Sequence, residues 1–213
     1  MRAVIPVIDP LILAQRKRFG VDQYDEMWEG ELHMPPSPDY VHQDFEGELA
    51  TYLRVHWAGP LKAKVVQQMN LARDGAGADW QSDYRIPDIL LVTAERMGIN
   101  KGSHFEGAPN AVVEIHSPGD EAYEKLPFYQ NLGIPEVWII HRDSKHTEIY
   151  LLRGDEYERS EPDAEGWSRS PTANVEMKPA PPTPPSQGGP KVCKLAIRVC
   201  GDNSTYAELP RIG

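Results

Sequence analysis

The stretch PNAVVEIHSPGDEAYEKL, residues 109–126, decides the fold of this chain. It opens with a run of apolar residues over 111–115, which is typical of a strand covered on both faces. Glu114 interrupts that run, and an ionised, unpaired carboxylate buried there would cost on the order of several kcal/mol. We therefore expect a compensating partner for Glu114: a basic side chain, a metal ion, or water at a strand end.

The segments around this strand predict an α/β fold with a mixed sheet flanked by helices. Asp39 is suited to cap a helix that Gly59-Pro60 ends, and a second helix fits between Asp120 and Leu132. Strands are predicted over residues 29–34, 61–70, 85–93, 110–117, 136–141 and 147–152, and a short acidic helix over residues 21–28. The strand-helix-strand unit around residues 110–140 implies a parallel crossover.

Composition divides the chain into three predicted parts. Residues 1–160 carry the α/β pattern, residues 161–191 form a proline-rich linker centred on PAPPTPPSQGGP, and residues 192–213 form a C-terminal β extension. In that extension KLAIRV and STYAELP predict a short strand pair. The pair could dock on the sheet or on a partner subunit.

Charge and cysteine content exclude several classes of protein. The chain has 213 residues and a formal net charge of −10, which argues against a general coat for nucleic acid but not against a nuclease. No apolar run is long enough to span a bilayer, and the N-terminal stretch has its basic cluster on the wrong side for a signal peptide. Cys193 and Cys200 are too few for a disulfide framework. We expect a cytoplasmic protein that does not contact membranes.

Two carboxylates are expected to meet at one edge of the sheet. If the strands over 86–92 and 110–116 are antiparallel neighbours, the start of the first lies beside the end of the second, so Asp88 meets Glu114. Like charges that close repel unless a cation holds them together. A hard divalent ion, Mg²⁺ or Mn²⁺, suits such oxygen ligands, and the backbone carbonyl of Ile115 could assist.

Lys125 is the third candidate for catalysis. It shares a helical stripe with Ala122, Tyr129 and Leu132 that should face the sheet. An ammonium there could stabilise charge on a phosphate or orient a water molecule. Pro127 requires the helix either to start later, with Lys125 in its first turn, or to kink. His116 projects to the face of Glu114 by the period of two, and could line the site or only make a polar contact.

The motifs I-P-D at 86–88, V-V-E-I-x-S-P at 112–118, K-L-x-x-Y at 125–129 and G-I-P-E-V-W at 133–138 resemble the Uma-two family. W-E-G-E-L-H-M at 28–34 and His42 extend the similarity over residues 15–153. This family of restriction-type endonucleases belongs to the PD-(D/E)XK nuclease superfamily. The resemblance implies a restriction-endonuclease-like core in which Asp88 and Glu114 bind metal. It also implies that Glu31 and His42 line the site, and that Lys125 replaces the lysine usually found where His116 stands.

The sequence thus predicts a Mg²⁺- or Mn²⁺-dependent DNA endonuclease with Asp88, Glu114 and Lys125 as its catalytic residues. A homodimer would suit cleavage of both strands of a duplex. Two alternatives stay open: an inactive nuclease-like module that binds DNA or supports assembly, and a hydrolase of a small phosphodiester.

Overall fold

The computed structural model of the chain describes residues 3–5, 9–181 and 193–211. The helices and helical turns are α1 (Pro10–Phe19), α2 (Tyr40–Leu53), a π-helical turn (Arg54–Ala58), α3 (Gly59–Leu61), 3-10 turns (Gly77–Ser82, Ala94–Ile99, Tyr123–Lys125) and α4 (Leu126–Asn131). The strands are β1 (Ala3–Ile5), β2 (Glu26–Trp28), β3 (Glu31–Met34), β4 (Lys64–Gln67), β5 (Leu71–Ala72), β6 (Tyr84–Arg85), β7 (Ile89–Val92), β8 (Phe105–Glu106), β9 (Ala111–His116), β10 (Glu136–His141), β11 (Thr147–Arg153), β12 (Glu156–Ser160), β13 (Ser168–Ser170), β14 (Val175–Pro179), β15 (Leu195–Val199) and β16 (Asp202–Leu209).

A mixed central sheet carries the fold, with strand order β12-β11-β10-β9-β7-β4. Strands β9 and β10 are parallel and joined through α4, while β7 is antiparallel to β9. Both relationships confirm the predicted topology. The chain therefore has the expected restriction-endonuclease-like fold class, a mixed α/β sheet flanked by helices.

Alternation along β9 divides its side chains between two apolar layers. Val113 and Ile115 pack with residues of α2, whereas Val112 packs with Phe128 and Tyr129 of α4. Because side chains alternate along a strand, Glu114 points to the α4 side with Val112. The continuous apolar pattern of residues 111–115 is explained by this cover on both faces.

Helix α2 begins where the sequence predicts. The carboxylate of Asp39 accepts a hydrogen bond from the His42 backbone N–H at 2.9 Å, and the inner face buries Phe45, Leu49 and Leu53. The helix continues through the π-helical turn to Gly59-Pro60. This cap fixes the first turn of α2, and with it the position of His42.

A second sheet, with order β1-β3-β2-β6-β5-β8, forms one wall of the site. The predicted helix over residues 21–28 is wrong, because residues 26–28 form strand β2. Pairing of Glu26 with His33 and of Met27 with Tyr84 overrides the helical preference of this acidic stretch. As a residue of strand β2, Glu26 is buried and points into the molecule.

The C-terminal residues form a third sheet with order β13-β14-β15-β16. The predicted terminal strand pair is present as β15 and β16, but it is not alone. The expectation of linker is wrong for residues 168–170 and 175–179, which form strands, because β13 pairs with β14 and β14 pairs in turn with β15, which lies beyond the proline-rich stretch. Residues 182–192, with most of that stretch, lie outside the described residues. Val175, Met177 and Ile197 pack in the same apolar layer as α2.

Among the helices that the structure describes, none is long and apolar enough to cross a membrane.

Candidate active site

Asp88 and Glu114 lie next to each other on neighbouring strands. Ile89 pairs with Val113 in the antiparallel register, so extending that register by one residue sets Asp88 opposite Glu114. A direct contact ties the two strand ends together, since the Ile115 backbone N–H donates to Asp88 Oδ2 at 2.5 Å. Side chains opposite each other in such a pair point to the same face. The sheet therefore presents both carboxylates at one place.

The partner of the buried Glu114 carboxylate is Lys125. The Lys125 ammonium lies 3.1 Å from Glu114 Oε2 and 2.8 Å from Glu26 Oε1. The Tyr129 hydroxyl donates a hydrogen bond to the other oxygen of Glu114. Glu26 is fixed in turn, because its two oxygens accept from the Ile86 backbone N–H and the Trp28 indole N–H. One ammonium thus joins two buried carboxylates from different sheets.

Pro127 determines how Lys125 enters this cluster. Helix α4 begins at Leu126, with Pro127 in its first turn, where a missing backbone N–H costs nothing. Lys125 ends the preceding 3-10 turn and occupies the N-cap position of α4. The sequence allowed either a kinked helix or a helix that starts later, and the structure is closer to the later start, since α4 begins at Leu126.

The buried charges alter one another's proton affinity. Burial raises the pKa of Glu114 to about 8; Lys125 and Tyr129 oppose that rise, whereas Asp88 and Glu26 add to it. Burial alone would lower the pKa of Lys125, but the carboxylates of Glu114 and Glu26 raise it above its usual value. Lys125 therefore keeps its proton at neutral pH, while Glu114 can change its charge in that range.

Asp88 also belongs to a second group of polar side chains, on the side of α2. His42 Nε2 lies 3.0 Å from Asp88 Oδ1 and 3.9 Å from Glu46 Oε2. One ligand atom from each of His42, Glu46 and Asp88 lies within 4.8 Å of the others. Imidazole nitrogen and carboxylate oxygen are both donors to divalent metal ions, so this donor set fits such an ion.

Burial and hydrogen bonds hold this second group in position. Glu46 is only 2% exposed, and its oxygens accept from the side-chain amides of Gln67 and Gln68, each at 3.0 Å. Burial raises the pKa of Glu46, and the nearby Asp88 charge adds to the effect. For His42, burial opposes the protonated ring, but its hydrogen bond to Asp88 leaves the pKa raised overall. A positive charge among these three side chains is thus stabilised.

Both groups open into one cleft of about 330 Å³. Its charged lining is mostly acidic and includes Glu26, Asp39, Asp88, Glu114, Asp120, Glu121, Lys125 and Arg142. Prolines form part of its wall, at positions 35, 36, 38 and 118. At the mouth, Arg142 makes an ion pair of 2.8 Å with Asp39, the residue that caps α2. The cleft lining therefore offers few cations to receive a polyanion.

Most of the residues expected at the site line this cleft. Asp88, Glu114, Ile115, Lys125 and His42 all do so. Ile115 takes part through its backbone N–H on Asp88, while a role for its carbonyl as a metal ligand stays a prediction.

Glu31 and His116 are placed differently. Glu31 is exposed and lines a separate hollow with Trp28, His33 and Arg85. His116 shares the face of Glu114 but turns towards Asp120, with 2.6 Å between Nδ1 and Oδ1, and it packs against Tyr123. Its connection to the cleft runs through Asp120, which is a lining residue.

Three important side chains escaped the sequence prediction. Glu46 could have been found, since it follows His42 by four residues on a predicted helix and so shares its face. Tyr129 lies one turn after Lys125 on a largely apolar stripe, and that pattern favours a place in the core over a polar role at the site. Glu26 has no local sequence signal for a place at the site, because the acidic stretch that contains it predicts a helix.

The fold and family of this chain are matched by known proteins. In structure it is similar to a protein described as "a putative nuclease belonging to DUF820" from Anabaena variabilis, with a TM-score of 0.55 and 20% sequence identity over 70% of this chain and 83% of the other. At that identity the likeness shows the fold alone. No curated protein matches the chain. The profile of the Uma2 family, described as "Putative restriction endonuclease", matches residues 20–178. Because that match covers most of the sequence, the chain belongs to the Uma2 family of nuclease-type proteins.

Proposed function

We propose that this protein is a divalent-metal-dependent endonuclease that hydrolyses phosphodiester bonds in DNA. The observation that carries the proposal is the placement of Asp88 opposite Glu114, one residue beyond the register of β7 with β9, with the Lys125 ammonium 3.1 Å from Glu114. Two carboxylates and one ammonium in a cleft are the groups that metal-assisted phosphoryl hydrolysis requires. Membership of the Uma2 family supports a nuclease.

Asp88 is the residue on which metal binding would depend. On one side of Asp88 lies Glu114, which the sequence predicts to bind the ion together with Asp88 and the Ile115 carbonyl. On the other side lie His42 and Glu46. Mg²⁺ or Mn²⁺ are the ions we propose. A divalent ion bound there would act as a Lewis acid on the phosphoryl oxygen and stabilise the charge that develops on it.

Lys125 would supply positive charge beside the reacting phosphate. Its ammonium is held by Glu26 and Glu114, so it needs no reorganisation when negative charge builds up. Glu114 would keep Lys125 in place, and its ionised form, which a pKa of about 8 makes the major form only in mildly alkaline solution, could accept a proton from an attacking water.

The proposal includes a homodimer in the cytoplasm. A two-fold axis would match that of duplex DNA and present two clefts to opposite strands. Two thiols without a disulfide, Cys193 and Cys200, suit a reducing compartment.

A hydrolase of a small phosphodiester is the second candidate, and the acidic cleft lining favours it. Long nucleic acids bind mainly through phosphate neutralisation by Lys and Arg, of which the cleft offers Lys125 and Arg142. An inactive nuclease-like module, the third possibility, would have no need for a buried ammonium between two carboxylates.

Cleavage of supercoiled plasmid with Mg²⁺ or Mn²⁺ tests the proposal. Asp88→Asn should abolish nicking and Lys125→Met should slow it strongly, whereas Glu158→Gln, at an exposed carboxylate on the edge strand β12, should not affect it. Parallel assays with a chromogenic phosphodiester separate the two hydrolases, since only the second candidate predicts turnover of that ester without plasmid cleavage. DNA binding without hydrolysis of either substrate would overturn both in favour of the inactive module.

A further inference from the structure

The side of the cleft formed by α2 contains a nitrogen donor at the position where a metal ion would bind. His42 and Glu46 are four residues apart, so they lie on one face of α2, directed to Asp88, the residue just before β7. His42 is 8% exposed and Glu46 is 2% exposed. A histidine so enclosed by two carboxylates is not an ordinary surface residue.

The spacing of these donors suits shared coordination. Two neighbouring ligands of one octahedral ion are roughly 3 Å apart at the bond lengths of a small divalent metal. His42 Nε2 lies 3.0 Å from Asp88 Oδ1, and Glu46 Oε2 lies 3.9 Å from the same nitrogen. Glu46 would complete the set by turning towards the ion and exchanging one of its two amide hydrogen bonds for the metal.

Groups outside the cluster fix the orientation of both carboxylates. Gln67 and Gln68 donate to Glu46, while the Ile115 backbone N–H donates to Asp88 Oδ2 and leaves Oδ1 directed at His42. Metal-binding carboxylates are commonly held by such hydrogen bonds. Both oxygens of Glu114 also accept hydrogen bonds, from Lys125 and Tyr129, but there one donor is an ammonium whose charge already compensates the carboxylate, whereas the donors to Glu46 are neutral amides.

We infer that the metal ion of this protein is bound by His42 Nε2 together with Glu46 and Asp88, and that the imidazole makes the site select Mn²⁺ over Mg²⁺. Imidazole nitrogen binds first-row transition ions well, whereas Mg²⁺ prefers an all-oxygen shell and keeps its water. The inference deepens the proposed function and rests on it for the use of the ion. Binding itself does not depend on catalysis.

The test is Mn²⁺ binding to the full chain, measured by calorimetry and by pulsed electron paramagnetic resonance. A directly bound imidazole nitrogen gives a ¹⁴N modulation in the Mn²⁺ spectrum. We expect that signal in the wild type and in His146→Gln, whose ring is half exposed. It should be lost in His42→Gln, which offers an amide oxygen in place of Nε2.

In His42→Gln the preference for Mn²⁺ over Mg²⁺ should fall at least ~10-fold, since even groups that only orient a metal ligand alter affinity by about 10- to 100-fold. If His42→Gln does not fold, labelling the wild-type histidines with ¹⁵N shows whether the bound nitrogen is an imidazole, because the modulation must then change frequency, and His42 is the histidine among the described residues that line the cleft.

The outcomes separate this inference from the proposed function. A wild-type Mn²⁺ spectrum without bound nitrogen, or a signal that persists in His42→Gln, overturns the inference, as does absence of Mn²⁺ binding. Nicking of plasmid by a protein whose ion lacks nitrogen ligands leaves the proposed function standing. A nitrogen-bound ion in a protein that cleaves no DNA supports the inference and removes the function.

Discussion

The Lys125 ammonium lies 2.8 Å from Glu26, a residue of a different sheet, and is nearer to it than to Glu114 at 3.1 Å. Removing one partner of a buried ion pair is costly, because the remaining charge loses its compensation. Glu26 therefore matters for two reasons: it fixes the direction of Lys125, and it connects the sheet of β2 to the central sheet through a charged contact.

Glu26→Gln should lower the rate of plasmid cleavage by about 10- to 100-fold, because a small misplacement of a catalytic group costs about that much. The variant also disrupts the indole hydrogen bond from Trp28, so we expect a stability loss of about 1–3 kcal/mol. Adding Glu26→Gln to Lys125→Met should cost little further activity, since both act through one ammonium. Fully additive losses in the double variant would show that Glu26 acts independently of Lys125.

Tyr129→Phe should shift the pH dependence of cleavage. The Tyr129 hydroxyl donates to ionised Glu114 and so lowers its pKa, against the larger effect of burial. Without that hydrogen bond the pKa rises, and the acidic limb of the rate profile should move upward by about 1 pH unit, the equivalent of one charged hydrogen bond. Rates measured over a pH series in both proteins check this. An unshifted limb, with an intact fold, would mean that ionisation of Glu114 does not limit the rate.

The sequence predicted the centre of the site better than its walls. Asp88, Glu114 and Lys125 lie on elements whose local patterns are strong: two apolar strands, and a helical stripe that fixes which side chain faces the sheet. Glu26 depends on pairing between β2, β3 and β6, and non-local pairing of a three-residue strand leaves little trace in a local pattern. Strands β13 and β14 are not predicted for a similar reason, since β14 pairs with β15 on the far side of a proline-rich stretch and β13 is added to the sheet through β14.

Lys145 should make stability depend on pH in the alkaline range. Its ammonium lies over the Phe45 ring and donates to the Arg142 carbonyl, and burial lowers its pKa from 10.5 to about 8. Because the pKa is lower in the folded state, the unfolded chain binds the proton more tightly between about pH 8 and 10.5. The free energy of unfolding therefore rises as pH increases through this range, and the gain is lost again when pH is lowered to 8.

We expect a gain of about 1–2 kcal/mol in unfolding free energy between about pH 7.5 and about pH 9.5, measured by urea denaturation. Lys145→Met should lose this part of the slope, whereas Lys64→Met, at an exposed position, should keep it. Equal slopes in all three proteins would show that Lys145 is solvated enough to keep its ordinary pKa.

A chain that ends at Ser160 should not fold to a stable native state. The third sheet contributes buried apolar residues to the layer that covers α2, among them Val175, Met177, Leu195, Ile197 and Leu209. Burial of these five side chains contributes on the order of 10 kcal/mol to the free energy of unfolding, which is comparable to the whole stability of a domain. Hydrogen bonds from Tyr52 to Thr205 O and from Trp57 to Thr172 O would also be lost.

Near-ultraviolet circular dichroism and dye binding to exposed apolar surface would measure the effect. A chain that begins at Gly20 is the matched control: it lacks the edge strand β1 and helix α1, and because α1 has no buried residues the core should stay packed. If the chain ending at Ser160 unfolds cooperatively with near-native stability, residues 1–160 are an independent domain and the C-terminal sheet is an accessory. If instead only the N-terminal truncation folds, the apolar layer over α2 requires the C-terminal sheet, and the proline-rich stretch connects two parts of one core.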